Sequence, residues 1–236
     1  MRKFALCLGL VLAILAGNGR VTQAADQAGL VAIDILLLPD RVMADRARAL
    51  NRRLLQDWPT GFALDATHVP HVTLLQCYVR VADLAAVEGA VDRVLQRARP
   101  PGMPLTAVGL FDGRVATVGV TGISVGLTPR LSRLQTDMAA AVAPFIRRGG
   151  TAAAFVDAPA TGTIRWTVDY VDNFRRNSSG ANYRPHVTGG VASPAFVDKL
   201  TSERFQKFRF KIEGAAIYQL GDVGTARKQL WVWRPN

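Results

Sequence analysis

Apolar and polar positions along the chain follow two alternating patterns. Residues 31–38 form a short apolar run that is typical of a buried strand. Apolar residues then recur every three or four positions, which predicts a helix with one buried face. This stripe consists of Met43, Ala47, Leu50 and Leu54. A second strand is predicted at 71–79, so the chain begins with a strand, a helix and a strand.

The middle of the chain repeats this alternation. The stripe Leu84, Val87, Val91 and Val94 predicts a helix that Pro100-Pro101-Gly102 ends. Strands are predicted at 104–110, 115–120 and 122–127, separated by glycine-containing turns. Thr128-Pro129 is a typical helix start, with an N-cap followed by a first-turn proline, and it predicts a third helix. Strands mixed with helices in this order indicate an α+β or mixed α/β domain.

The last third of the chain is less regular. Residues 148–162 are rich in Gly, Ala and Thr, which predicts a loop or an insertion. A short helix is predicted around Trp166 to Phe174, followed by a polar, basic loop at 175–180. Ser193-Pro194 opens another short helix, and strands at 208–212, 215–220 and 230–233 close the chain.

The first residues look like an export signal. Met1-Arg2-Lys3 precedes an apolar run at 4–16 and a small-residue stretch at 21–25, the order of a cleaved signal peptide. We therefore predict a signal peptide at 1–24 and one domain at 25–236, located in the periplasm or outside the cell with no membrane anchor after cleavage. A retained anchor is the alternative, but the run is shorter than the about 20 apolar residues that span a bilayer.

Charge and cysteine content limit the classes of partner and the disulfides that the chain can form. The chain has 29 basic and 18 acidic residues, a net charge of +11, which falls to +8 when Arg2, Lys3 and Arg20 leave with the signal. A positive protein attracts phosphate esters, nucleic acid and acidic lipids, although many exported proteins are basic without such a role. Cys77 is the one cysteine outside the signal, which excludes an internal disulfide. No base stands beside it in the sequence, so we expect a buried residue rather than a nucleophile.

One tetrapeptide occurs twice. Pro70-His71-Val72-Thr73 returns letter for letter at 185–188, and the chain has three histidines in all. Residues two apart in a strand project from the same face, so each copy presents an imidazole beside a hydroxyl. If two such strands faced each other, two His-Thr pairs would line one groove.

Cleavage of a phosphodiester suits that arrangement. The reaction needs a base for the attacking oxygen and an acid for the departing oxygen, and histidine titrates near neutral pH. Threonine hydroxyls can donate hydrogen bonds to the non-bridging phosphate oxygens. This chemistry requires no metal and no other cofactor.

The two motifs resemble those of the 2H phosphoesterases, a family defined by two H-x-T/S motifs. The resemblance implies a bilobal, pseudo-symmetric fold in which two antiparallel-rich sheets flank a central cleft and helices lie outside. It implies catalytic roles for His71 and His186, and phosphate-binding roles for Thr73 and Thr188. The implied substrate is a nucleotide or RNA-end phosphodiester, either cyclic or 2'-5' linked. Gly189-Gly190 departs from the usual apolar strand residues, so we expect a bend or bulge there.

Several residues near the motifs have two interpretations. Arg175, Arg176, Tyr183 and Arg184 lead into the second motif and are predicted to bind substrate, or else they form a solvated basic loop. His68 forms H-x-x-H with His71, and a three-histidine zinc site is the alternative to a metal-free one. We expect a monomer. The competing function is a non-catalytic nucleotide or nucleic-acid binder on the same fold.

Overall fold

The structure is a computed structural model that describes residues 29–158 and 162–235. The signal peptide predicted at 1–24 lies outside these residues. In the described part of the chain, none of the helices is both long enough and apolar enough to cross a membrane. The same residues contain five α-helices and seven β-strands, and every strand pair is antiparallel.

The two repeated tetrapeptides begin strands at equivalent places in the fold. Each of these strands, β2 and β5, is the second strand of a strand–helix–strand–helix series, and the second series carries one additional helix, α4. The elements in chain order are β1 (Leu30–Pro39), α1 (Arg41–Asp57), β2 (Val72–Arg80), α2 (Leu84–Ala98), β3 (Pro104–Val115), β4 (Val118–Val125), α3 (Pro129–Val142), α4 (Gly162–Asn177), β5 (His186–Ala192), α5 (Pro194–Ser202), β6 (Phe208–Leu220) and β7 (Ala226–Val232).

A single long strand, β6, joins two halves of the sheet. Residues 208–211 of β6 pair with β3, whereas residues 212–219 pair with β1. The strand order is β2-β1-β6-β3-β4-β5, and β7 pairs with β6 on the side away from β1. The motif strands β2 and β5 therefore stand at the two ends of this order. The α+β fold with two antiparallel half-sheets, predicted from the sequence, is confirmed.

Three predicted boundaries are wrong, two of them because of a glycine. The strands predicted at 104–110, 115–120 and 122–127 are two strands, β3 and β4, which turn at Ala116. The strands predicted at 208–212 and 215–220 are one continuous strand, β6. In both cases a glycine between two predicted strands, Gly113 or Gly214, lies inside one strand. The basic loop predicted at 175–180 also begins too early, because Arg175 and Arg176 form the last turn of α4.

The helix starts were predicted correctly where the sequence contains a capping residue. The side chain of Thr128 accepts a hydrogen bond from Leu131 N, and that of Ser193 accepts one from Phe196 N. Such caps satisfy backbone donors that a helix leaves unpaired at its first turn. Cys77 is buried, and burial raises the pKa of its thiol to about 12, so it is inert as expected.

The second motif strand contains the predicted bulge. Thr121 pairs with Gly190 and Gly122 pairs with Thr188, which leaves Gly189 as an extra residue in β5. Gly190 has φ +150°, a conformation that side chains disfavour. The amide of Asn51, a buried residue of α1, donates to the carbonyl of Gly189 at 2.8 Å. The bulge is confirmed, and it bends the strand just after His186 and Thr188.

The close pairing of β4 with this bulge generates a stability prediction. A Cβ added at Gly122 would overlap the carbonyl oxygen of Val187, a backbone atom that cannot move alone. We expect Gly122→Ala to lower the free energy of unfolding by about 1–3 kcal/mol, the usual cost of overpacking. Gly109→Ala is the matched control, because no atom lies within 4 Å of its added Cβ. Urea denaturation of both variants measures the difference, and equal midpoints would contradict the prediction.

Candidate active site

Both motifs line one cleft. The cavity has a volume of about 290 Å³ and opens where β2 and β5 approach each other. His71 and Thr73 line it from the first motif, and His186 and Thr188 line it from the second. The repeated tetrapeptides, 115 positions apart in the sequence, thus present two imidazoles and two hydroxyls to the same space.

Each imidazole is held by the same local hydrogen bond. Nδ1 of His71 lies 2.6 Å from the carbonyl oxygen of Val69, and Nδ1 of His186 lies 2.8 Å from that of Arg184. The carbonyl belongs in both cases to the residue two positions earlier, with the motif proline between. A carbonyl only accepts, so Nδ1 carries a proton in both rings. Proton transfer in the cleft would therefore use the Nε2 atom of each ring.

The Nε2 atoms have different surroundings, because a carboxylate lies beside only one of them. Oδ2 of Asp34, a residue of β1 with no exposed surface, is 3.3 Å from Nε2 of His71. The same oxygen accepts hydrogen bonds from Thr73 Oγ1 at 2.7 Å and Gln76 Nε2 at 2.9 Å. We did not predict Asp34 as a site residue. The available signal was one acidic residue within the otherwise apolar strand LVAIDILLLP.

The pKa values of the two imidazoles are consequently shifted in opposite directions. Burial lowers the pKa of His71, but the hydrogen bond and charge of Asp34 and the bond to Val69 outweigh burial, so the pKa of His71 is raised. Burial is the largest effect on His186 and lowers its pKa. The hydrogen bond to the Arg184 carbonyl raises the pKa in part, the charge of His71 lowers it again, and Asp34 has the smallest effect, so the pKa of His186 is lowered. The site therefore favours a proton on His71 over a proton on the Nε2 atom of His186.

The motif threonines are not equivalent either. Thr73 donates its hydroxyl proton to Asp34, so that proton is already in use. Thr188 is partly exposed in the cleft, and within 29–158 and 162–235 its hydroxyl makes no side-chain hydrogen bond. Of the two, Thr188 is the hydroxyl that is ready to donate to an anion in the cleft.

Buried polar side chains fix the two motif strands relative to each other. The hydroxyl of Tyr183 donates to the backbone carbonyl of Thr73 at 2.8 Å. Gln135 of α3 donates to the carbonyl of Leu74 and accepts from the amide of Gly180, so it links β2 to the segment before β5. Tyr183, predicted to bind substrate, is 3% exposed, and its hydroxyl is used in this link.

Aromatic rings form one wall of the cleft. Phe111 of β3 packs against the His186 ring with 4.6 Å between ring centroids. Trp166 and Tyr170, one turn apart on α4, stack at 4.8 Å with an angle of 12° between their planes. All three line the cleft and are partly exposed. Sequence reasoning did not assign them a role, because Trp166 and Tyr170 have a helical spacing that is typical of core residues, and Phe111 is far from the second motif in sequence.

The basic residues before the second motif divide into two groups. Arg184 is exposed and lines the cleft, and its Nη1 donates to the carbonyls of Ala181 and Tyr183. Arg175 and Arg176 do not line the cleft, because they lie on the last turn of α4, outside it. Arg176 instead forms hydrogen bonds with Asn173 and Asn177.

His68 lies outside the pair formed by His71 and His186. Nη1 of Arg227 donates to its Nε2 at 2.9 Å, and Phe62 stacks on its ring with 5.2 Å between centroids. A guanidinium at this nitrogen competes with any cation there. Across the described ranges, no three His, Cys, Asp or Glu side chains are grouped so that they could hold a metal ion. The absence of a metal requirement stays a prediction.

Comparison with known proteins gives weak similarity over nearly the whole chain. No protein-family profile matches, and neither does any curated protein. Among solved structures, a phosphoesterase is 13% identical with a TM-score of 0.41, covering 87% of this chain and 98% of its own. Escherichia coli LigT complexed with ATP is 14% identical, with a TM-score of 0.41 and coverage of 88% and 99%. Kluyveromyces marxianus Usb1 is 17% identical, with a TM-score of 0.39 and coverage of 87% and 99%.

The opposite environments of the two imidazoles predict an order of titration. We expect His186 to lose its proton at a lower pH than an ordinary histidine, and His71 at a higher one. A pH titration of the ring signals by NMR measures both, and His71→Gln and His186→Gln variants assign them. Coincident titration of the two rings, or the reverse order, would contradict the geometry described here.

Proposed function

We propose that this protein is a metal-independent phosphodiesterase, in which His186 is the general base and His71 the general acid. The observation that carries the proposal is the pair of imidazoles in one cleft with opposite protonation preferences. Paired titratable groups whose environments separate their pKa values are typical of acid–base catalysis. The proposed reaction is hydrolysis of a cyclic phosphodiester, such as a 2',3'-cyclic nucleotide or RNA end, or of a 2'-5' linked nucleotide.

The proton transfers balance without a cofactor. Nε2 of neutral His186 takes a proton from a water molecule, whose oxygen attacks phosphorus. The bond from phosphorus to the departing ribose oxygen breaks, and Nε2 of protonated His71 gives that oxygen its proton. One water is consumed and one ester bond is broken. Exchange of one proton with solvent at each ring restores the starting state.

Other cleft residues support an anionic nucleotide substrate. The hydroxyl of Thr188 and the guanidinium of Arg184 are donors suited to non-bridging phosphate oxygens. Trp166 presents an aromatic surface of the kind on which nucleobases stack. An aromatic wall beside a phosphate site fits a nucleotide better than a simple phosphate ester. The proposal includes export, which rests on the signal peptide predicted at 1–24.

A non-catalytic nucleotide binder is the second candidate for this fold. A binder needs the aromatic wall and the cationic donors, but it gains nothing from two imidazoles with separated proton affinities. The anchoring of both rings through Nδ1, which leaves Nε2 for the cleft, therefore favours the enzyme. RNA ligation, the reverse of cleavage, would use the same groups.

Activity assays test the reaction class. We expect the protein to hydrolyse at least one of a panel of 2',3'-cyclic nucleotides, 3',5'-cyclic nucleotides and 2'-5' dinucleotides, with no loss in EDTA. His71→Ala and His186→Ala should each lower turnover by roughly 10²- to 10⁴-fold, and the double variant should lose little more. His68→Ala is the matched control and should stay near wild type. Loss of activity in EDTA with recovery in zinc would refute the two-histidine mechanism.

The different positions of the arginines generate a second assay. Arg184→Ala should raise KM with a smaller effect on kcat, because a contact made equally in ground and transition states contributes to binding alone. Arg176→Ala removes the same charge from the neighbouring helix end outside the cleft, so its KM should stay near wild type. Equal KM values for the two variants would remove Arg184 from the binding site.

A further inference from the structure

We propose that Asp34 is a positioning residue of this active site, whose buried negative charge stabilises the protonated ring of His71 and thereby makes His71 the proton donor. The inference rests on the function proposed above and assigns it a residue that neither motif contains. It explains how two identical tetrapeptides acquire different chemical roles.

The geometry around His71 leaves little freedom for the ring. Nδ1 donates to the carbonyl of Val69, while Nε2 faces Oδ2 of Asp34 at 3.3 Å. A backbone acceptor at Nδ1 together with a negative charge beside Nε2 favours the form with a proton on each nitrogen. His186 has the equivalent Nδ1 contact with Arg184, but no carboxylate within ion-pair distance of its ring among the described residues. The difference between the rings therefore lies in Asp34.

Burial of the Asp34 carboxylate is energetically unfavourable, which suggests a functional reason for its position. Its side chain has no exposed surface, and Oδ1 has no hydrogen-bond partner among the residues that the structure describes. Removing a carboxylate from water is unfavourable, and its polar contacts here come from His71, Thr73 and Gln76 rather than from a lysine or arginine. These three side chains all line the cleft. The buried carboxylate is thus built into the floor of the site.

Several other titratable groups lie within electrostatic range of Asp34. They come from β2, from α4, and from the second motif with the residues before it, namely His71, Cys77, Tyr170, Tyr183 and His186. Burial first, and then the charge of Asp34, raises the pKa of Cys77, Tyr170 and Tyr183, which keeps all three neutral near pH 7. Of these five groups, the two histidines are therefore the ones that change charge near neutral pH.

The pH dependence of turnover tests this role. Asp34→Asn keeps the size of the side chain and an acceptor oxygen for Thr73 and Gln76, but it removes the charge. We expect the alkaline limb of the kcat profile to move to lower pH, so that the loss of turnover is large above neutrality and shrinks as the pH falls. Recovery at lower pH separates a protonation effect from general damage to the site, which would lower turnover at every pH.

Two variants serve as controls. Asp137→Asn also removes one negative charge, but from an exposed position of α3 outside the cleft, so its profile should match wild type. Thr73→Val removes a competing donor to Oδ2 and keeps the carboxylate, so its alkaline limb should not move to lower pH. An Asp34→Asn profile with the wild-type alkaline limb would overturn the proposal.

A measurement on the unchanged protein covers the case in which Asp34→Asn does not fold. In protein labelled with ¹⁵N-histidine, the His71 ring should stay doubly protonated to a higher pH than an ordinary histidine, and His186 should become a neutral Nδ1–H tautomer at a lower pH. A His71 ring that loses its proton no later than an ordinary histidine would overturn the role of Asp34. Failure of the wild-type protein to hydrolyse any phosphodiester would instead refute the proposed function, and the ring signals would still decide the state of His71.

Discussion

The site depends on β6, the strand that both halves of the sheet share. The first four residues of this strand belong to the half-sheet of β3, β4 and β5, and the remainder belongs to the half-sheet of β1 and β2. The strands at the two ends of the sheet order can therefore face each other, although they share no ladder hydrogen bonds. Tyr183 and Gln135 then fix their relative position through buried hydrogen bonds. Because these links are buried, leaving one partner unpaired would be unfavourable.

Within that frame, identical sequence does not mean identical chemistry. Both copies of the tetrapeptide orient the imidazole through the carbonyl two residues earlier, a contact determined by the local chain. The state of Nε2 depends on the residues across the sheet, and within the part of the chain that the structure describes β1 alone places a carboxylate beside a motif imidazole, at Asp34. The fold is approximately symmetric, whereas the electrostatics are not. This asymmetry favours a reaction that needs one proton donor and one acceptor, because it raises the fraction of molecules with the proton on one defined ring.

The sequence predicted what depends on local pattern. The repeated tetrapeptide, the helix caps at Thr128 and Ser193, and the bulge at Gly189 are all determined by residues close together in the chain. The roles of Asp34, Gln135 and Trp166 were missed, because each depends on partners far away in sequence. Strand ends were misjudged where Gly113 and Gly214, which were assigned to turns, lie inside continuous strands. Hydrophobic periodicity carries no information about which strand lies opposite which.

The central claim is that His71 donates and His186 accepts a proton, and the identity of the leaving group tests it most directly. A phosphodiester of p-nitrophenol releases a stable anion that needs no proton, whereas a ribose oxygen needs one. The account predicts that His71→Ala loses turnover on the ribose ester but retains most of it on the p-nitrophenyl ester, while His186→Ala loses both. Equal losses of His71→Ala on the two substrates, or the opposite pattern between the two variants, would contradict it.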